Sequence, residues 1–299
     1  MDNALPANFQ RKPDWLKVKF PSGETWKKVD EVLARRGLHT VCDEAHCPNK
    51  GECWGMGTAT FMILGDLCTR GCRFCAVSTA GEGRPVRAEE GREIALAAKE
   101  LGLDYVVLTS VDRDDLPDRG AGHFASCVAA IRETDPSIKI ETLIPDYYGA
   151  ELEGLVEAFP DVIAHNVETV RSLQHIRDGR ASFDKSLRTL REAKAGIRGR
   201  SGVPGGKAKT KSSILLGLGE KQEEVLSAMD ELRRAETDIL VLGQYLRPSK
   251  KQVPVAEYVT PERFAFYAEE GRNRGFFGVI STPLARTSYH AKETEKNAR

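Results

Sequence analysis

Six of the seven cysteines in this chain of 299 residues fall between residues 42 and 75: Cys42, Cys47, Cys53, Cys68, Cys72 and Cys75. Ordinary core packing does not call for thiols at that density. An odd total argues against a scaffold held by disulfides, and a reducing compartment would keep the six as thiols, so their clustering points to metal. The seventh, Cys127, sits in an expected helix with Phe124, Val128 and Ile131 and reads as core packing.

The rest of the chain supplies a scaffold. From Ala59 to Pro283, strand and helix signals alternate. Strands are expected at Ala59–Gly65, Tyr105–Val111, Ile138–Pro145, Val162–Glu168, Ser212–Gly219, Ile239–Tyr245 and Phe277–Pro283. Helical spacing lies between most of them, as at Glu89–Leu101 and Glu223–Arg234. Alternation of this kind predicts an α/β fold with a parallel sheet and helices outside. A closed eight-fold barrel takes ~250 residues. Six to seven strands over residues 59–283 therefore predict an incomplete parallel barrel, open enough to admit a large substrate. Residues 1–58 form an N-terminal extension that carries three of the cysteines. Its helix is expected at Glu24–Arg36, stopped by Gly37. Residues 284–299 form a polar tail, and Gly196–Lys211, rich in Gly, Lys and Arg, reads as a surface loop.

Charge narrows the classes further. Lys plus Arg number 44 and Asp plus Glu number 44, so the formal net charge is zero. That balance gives no support for a nucleic-acid or membrane-surface partner. No apolar run approaches the ~20 residues of a membrane span, and Met1–Asp14 lacks the apolar stretch of a secretory signal. A soluble, cytoplasmic protein is expected.

Cys68-Thr-Arg-Gly-Cys72-Arg-Phe-Cys75 follows an expected strand with C-x3-C-x2-C spacing. Three thiolates on one tight loop hold three irons of a [4Fe–4S] cube and leave the fourth iron open, whereas cubes ordinarily take four cysteines. A structural zinc loop would want four ligands, usually as paired C-x2-C units, and fits poorly. Gly71 permits the turn, and Arg70 and Arg73 are expected beside the negatively charged cluster. This spacing, with an aromatic residue (Phe74) before the last cysteine, resembles the radical S-adenosylmethionine superfamily. The resemblance implies that the open iron binds the amino and carboxyl groups of S-adenosylmethionine. One electron then cleaves the sulfonium to a 5′-deoxyadenosyl radical.

Cys42, Cys47 and Cys53 form a second triad with C-x4-C-x5-C spacing. It can hold a second cluster, or a zinc knuckle that recruits His46. Its context, Cys47-Pro-Asn-Lys-Gly-Glu-Cys53-Trp54, resembles the lipoyl synthase family. So do Thr109–Leu116, His165–Thr169, Gly217–Glu220 and Gly243–Ser249, and the likeness covers roughly residues 38–292. Members end in an Arg-Ser-Ser-Tyr motif whose Ser completes the second cluster. This chain reads Arg286-Thr287-Ser288-Tyr289, so the resemblance implies Ser288 as the ligand, with Thr287 the alternative, and places Arg286 and Ser288 in the catalytic machinery. Residues 249–255 lack the His expected there. Thr109, Ser110 and Asp112 past a strand end, and Asn166 and Glu168 past another, could contact S-adenosylmethionine or simply cap turns. A buried Glu168 needs a partner, which the methionyl ammonium could provide.

The implied reaction inserts two sulfur atoms into an octanoyl chain held on a lysine of a carrier domain, with the second [4Fe–4S] cluster consumed as the sulfur source. The implied partners are an octanoylated carrier (the E2 component of a 2-oxoacid dehydrogenase or the glycine-cleavage H protein) and a flavodoxin- or ferredoxin-type electron donor. A methylthiotransferase, a biotin synthase and a non-enzymatic zinc protein are the other readings.

Overall fold

The computed structural model describes residues 11–17, 23–45, 47, 49–55, 60–200 and 207–288. His46, Pro48 and Tyr289 lie outside the described residues. The N-terminal part runs α1 (Glu24–Arg36), β1 (His39–Thr40), α2 (Val41–Glu44) and α3 (Lys50–Gly55). α1 ends where expected, at Gly37 with φ 59°. Its Trp26 stacks at 5.7 Å on Trp54 of α3, which is 1% exposed. Lys50 lies 4.1 Å over the Trp54 ring, so the segment carrying the second triad is clamped onto a helix.

Strand–helix alternation follows. β2 (Thr60–Ile63) leads through the two-residue strands β3 (Leu67–Cys68) and β4 (Ser78–Thr79) to α4 (Glu90–Leu101). Then come β5 (Tyr105–Ser110), α5 (Ala121–Thr134), β6 (Lys139–Leu143), α6 (Ala150–Glu157) and β7 (Val162–Ala164). The chain continues through α7 (Phe183–Arg198), β8 (Lys209–Leu216), α8 (Gln222–Arg234), β9 (Ile239–Gln244), α9 (Pro261–Asn273) and β10 (Gly278–Ser281). The main sheet has the order β1-β2-β5-β6-β7-β8-β9-β10. Seven strands are parallel, and β1 adds an antiparallel edge on β2. Among the described residues β10 does not return to β1, so the sheet is an open, incomplete barrel, as the strand count predicted. No helix of the described residues is long and apolar enough to cross a membrane. Cys127 is fully buried in α5 and packs in the core, as expected.

Strand residues alternate between two environments. Val106, Leu108 and Ile140 face the helices, while Tyr105, Glu141 and Lys211 form a polar floor inside. Lys211 Nζ bonds both Glu141 carboxylate oxygens at 3.0 Å, and Tyr105 OH donates to Glu141 Oε2 at 2.8 Å. Lys211 and Glu141 are 1% and 0% exposed. This corrects the loop expected at Gly196–Lys211. α7 runs through Gly196 to Arg198 and β8 starts at Lys209, so Lys211 is an interior strand residue. Lys and Gly content suggested a surface, but the buried Glu141 makes an interior lysine stable.

Replacing Lys211 with Met leaves Glu141 buried without its cation. A loss of about 3–5 kcal/mol in urea unfolding is expected. Glu141→Leu/Lys211→Met should recover most of it; equal loss in the double variant would show that the pair does not act as a unit.

Candidate functional site

Both cysteine triads line one cavity of about 470 Å³ at the carboxyl ends of the strands, the end where barrel sites are built. All six thiols are free. Among the described residues no three His, Cys, Asp or Glu side chains converge on a single metal ion. A four-iron cube binds each thiolate to a different iron and needs room for itself, and two sets of three thiols on one cavity fit that requirement.

The first triad rides on the loop after β2. Cys68 ends β3, whose pairing with β4 puts Leu67 beside Ser78 and Cys68 beside Thr79. The backbone N–H of Asp178 donates to Cys72 Sγ at 3.3 Å, and that of Arg70 to Cys68 Sγ at 3.4 Å. Arg73 N donates to Ile176 O at 2.8 Å. Burial pushes the thiols up: Cys72 to about 11, Cys68 to about 12, and Cys75 in the same direction. Iron must therefore displace protons to bind here. Arg70 lines the cavity, with its charge already met by carboxylates. Its guanidinium, 5% exposed, forks onto Asp114 at 2.8 Å twice and also meets Asp146 at 2.8 Å and Asp112 at 3.3 Å. It fixes the loop through a carboxylate cage, whereas Arg73 is exposed.

A second hollow of about 150 Å³ opens beside this loop, lined by Cys72, Phe74, Thr109, Ser110, Asp112, Asn166 and Glu168. Every residue named from sequence for S-adenosylmethionine is thus gathered in one place. Thr109 donates to Leu143 O at 3.2 Å. Ser110 Oγ is buried without a hydrogen-bond partner. Burial pushes the Asp112 carboxyl up, against the opposing pull of Arg70. Glu168 holds φ at 65°, a strained conformation for a residue with a side chain. Two backbone bonds to β8 impose it: Glu168 N to Ser213 O at 3.2 Å, and Leu215 N to Glu168 O at 2.8 Å. Burial also raises the Glu168 carboxyl, and Asn166 Nδ2 donates to it at 3.2 Å.

The second triad sits across the cavity. Burial pushes Cys42 to about 11 and Cys53 to about 12, with Cys42 and Cys47 adding to the rise at Cys53. Cys47 also rises through burial and is opposed by the charge of Arg286, so the tail reaches this triad. Three contacts seat it. Asn49, 1% exposed, donates to Leu284 O at 2.7 Å. Gly243 lies under Ala285 so closely that a Cβ would fall 2.0 Å from the Ala285 carbonyl oxygen. Thr287 Oγ1 bonds Ser213 Oγ at 3.0 Å and Asn166 Oδ1 at 3.2 Å, and is 7% exposed. Thr287 is thereby bonded to the barrel wall, and Arg286, Thr287 and Ser288 all line the cavity. Burial lowers the pKa of Arg286, and its Nη1 donates to Ala285 O at 2.6 Å.

The match to the radical SAM superfamily spans residues 62–232, and the N-terminal domain of lipoyl synthase matches residues 6–47. The lipoyl synthase of Anaeromyxobacter dehalogenans is 51% identical over 286 residues, covering 95% of this chain and 94% of that protein. This chain belongs to the lipoyl synthase family. Methanocella arvoryzae has a member 48% identical over 97% of this chain and 96% of its own length. The mitochondrial member of Danio rerio is 50% identical, over 95% and 71%. The FeFe-hydrogenase maturase HydG of Carboxydothermus hydrogenoformans shares the fold, with a TM-score of 0.60 at 15% identity over 79% of this chain and 56% of that one. Methylornithine synthase also shares it, at 0.54 and 16% over 76% and 72%. Membership of the superfamily implies a [4Fe–4S] cluster and S-adenosylmethionine.

Sequence reading missed what seats the tail. Asn49 was visible within the quoted run Cys47–Trp54, but its partner is Leu284, 235 positions away. Gly243 was quoted without its reason. His165, in another quoted run, is structural. Its Nδ1 bonds Ile144 O at 2.8 Å and its Nε2 bonds Ser186 Oγ at 2.9 Å. Ser186 Oγ accepts from Arg177 at 3.0 Å. Burial and the Arg177 charge lower His165 from 6.5 to about 4, so it is neutral at pH 7.

The unfolded chain takes up this proton first. His165 therefore contributes its full stability above pH 6.5 and loses it as pH falls toward about 4, at about 1.4 kcal/mol per unit. In urea unfolding of the cluster-free protein, His165→Gln should flatten the stability profile between those limits; an unchanged slope would contradict the burial.

Proposed function

We propose that this protein inserts two sulfur atoms into an octanoyl chain carried on the lysine of a lipoyl carrier domain, using two [4Fe–4S] clusters and S-adenosylmethionine. The observation that carries the reading is the meeting of Cys42, Cys47, Cys53 and Ser288 with Cys68, Cys72 and Cys75 on one cavity. Bound there, one cluster with S-adenosylmethionine supplies a carbon radical that takes hydrogen from an unactivated alkyl carbon, and the other supplies the sulfur. Octanoylated E2 domains or the H protein, and an electron donor of the flavodoxin or ferredoxin type, belong to the same proposal.

The chain's own residues then have defined tasks. Cys68, Cys72 and Cys75 hold the radical cluster on a loop locked by Arg70 and Asp178. Glu168, Asn166, Asp112, Thr109 and Ser110, with Phe74, offer the polar wall against which the amino acid and ribose parts of S-adenosylmethionine rest. A carboxylate pushed up by burial, such as Glu168, gains most from a cation beside it. Cys42, Cys47 and Cys53 would hold the auxiliary cluster, with the Ser288 hydroxyl as its remaining protein ligand. Thr287 is unsuited to that task because its hydroxyl already serves Ser213 and Asn166. Arg286 places a positive charge beside Cys47 and steadies the anionic cluster. The hydroxyl of Ser288, a partly buried residue, would bind iron more weakly than a thiolate and so would ease loss of that iron.

Anaerobic reconstitution should give about eight irons with matching sulfide; zinc without sulfide would overturn the reading. Cys68→Ala should abolish 5′-deoxyadenosine. Cys47→Ala should keep some cofactor cleavage and lose thiolated product. Ser288→Cys should keep the cluster but suppress sulfur transfer. Normal lipoyl formation by both the Ser288→Cys and Ser288→Ala proteins would remove the hydroxyl ligand from the mechanism.

A further inference from the structure

The segment Leu246–Val253 lies between the cavity mouth and the radical loop. Leu246, Arg247 and Pro248 line the cavity. Gln252 Nε2 donates to Cys75 O at 3.0 Å, and Val253 N donates to Arg73 O at 3.0 Å. The rim is therefore fastened to the loop that carries Cys68, Cys72 and Cys75. Arg247 curls back onto the carbonyls of Gln252 at 2.8 Å and Lys250 at 2.5 Å. That curl leaves Lys250 and Lys251 exposed at its crest.

Four cations thus crowd the rim: Arg73, Arg247, Lys250 and Lys251, all exposed. None of the four makes an ion pair among the described residues. Some surface arginines find carboxylates, as Arg35 and Arg36 do with Glu100 and Glu93, and others such as Arg92 and Arg234 find none among the described residues, so what marks the rim is its place at the cavity mouth. In a chain of zero net charge, a one-signed group at the mouth of the reaction cavity sets up a local attractive field for an acidic surface.

We propose that this rim is the docking face for the carrier domain, and that the carrier presents acidic side chains around its octanoylated lysine. The inference rests on the octanoyl-carrier reading above. A covalently tethered substrate narrows the choice of partner. The octanoyl group can reach the cavity only if the body of the carrier comes down on the residues that frame its mouth. A protein electron donor is under no such constraint, since it needs only to approach the radical cluster. Rim charge then acts on encounter and orientation, with its strength falling as salt rises. The apolar cavity binds the acyl chain.

The test uses the holoenzyme with both clusters, supplied with chemical reductant so that no protein donor is needed. Lys250→Glu/Lys251→Glu is compared with wild type on an octanoylated carrier domain and on a short, uncharged octanoyl-lysine peptide. Because the auxiliary cluster is consumed, the kinetics are single-turnover: the apparent KM for the carrier (its concentration at half-maximal rate constant) should rise about five- to tenfold at low salt, with the limiting rate constant held and the apparent KM for the peptide unchanged. Lys250→Gln/Lys251→Gln should shift it less, in the same direction. The difference between variant and wild type should shrink as salt is added. An unchanged KM for the carrier overturns the proposal, and so does an equal rise for the peptide, which would mean the rim shapes the mouth itself. If the carrier KM holds while half-saturation by an acidic protein reductant rises, the face belongs to the electron donor and the proposal is wrong. Wild-type enzyme that thiolates neither substrate would sink the underlying function, and this inference with it.

Discussion

Two distant parts of the chain have to meet at the mouth of an open barrel, and the rest of the site depends on that meeting. Asn49 donates to Leu284 O at 2.7 Å, Ala285 presses on Gly243, and Thr287 pins the tail to Ser213 and Asn166. These contacts seat the tail where Arg286 and Ser288 line the same cavity as Cys42, Cys47 and Cys53 and where the Arg286 charge reaches Cys47. An open sheet makes room for the meeting. A closed barrel of eight strands would leave no gap between β10 and β2 for the two extensions.

The barrel interior is layered accordingly. At the floor, Tyr105, Glu141 and Lys211 form a hydrogen-bonded polar group. Above it the hydroxyls of Ser213 and Thr287 seal the wall. The cavity of about 470 Å³ occupies the top. Electrostatics follow the same order. Arg70 is held by Asp112, Asp114 and Asp146, so its own charge is met inside the fold. The thiols are pushed up by burial and stay protonated until metal arrives.

Much of this was legible in the sequence, for definite reasons. The spacing of Cys68, Cys72 and Cys75 after a strand, and the alternation of β- and helix-period segments, are local signals. Seven strands and an open sheet followed from them. Gly37 as the stop of α1 was equally local. What escaped depended on long-range partners. Lys211 looked like part of a basic loop because its partner Glu141 lies 70 positions earlier. Arg70 was expected beside the cluster and does line the cavity, but nothing nearby in sequence announces its partners Asp114 and Asp146. The family motif put Ser288 ahead of Thr287 as the proposed ligand. The partners of Thr287, which come from β8 and from the turn after β7, support that proposal and were not visible in the sequence.

The most direct measurement is an anaerobic crystal structure of the reconstituted protein, with iron located by its anomalous scattering. The shared-cavity arrangement predicts two separate iron groups of four within one cavity: one against Cys68, Cys72 and Cys75, the other against Cys42, Cys47 and Cys53, with Ser288 Oγ on its fourth iron. A single metal ion held tetrahedrally by the second triad, or a second cluster whose fourth corner is met by Thr287 or by no residue of the tail, would contradict it.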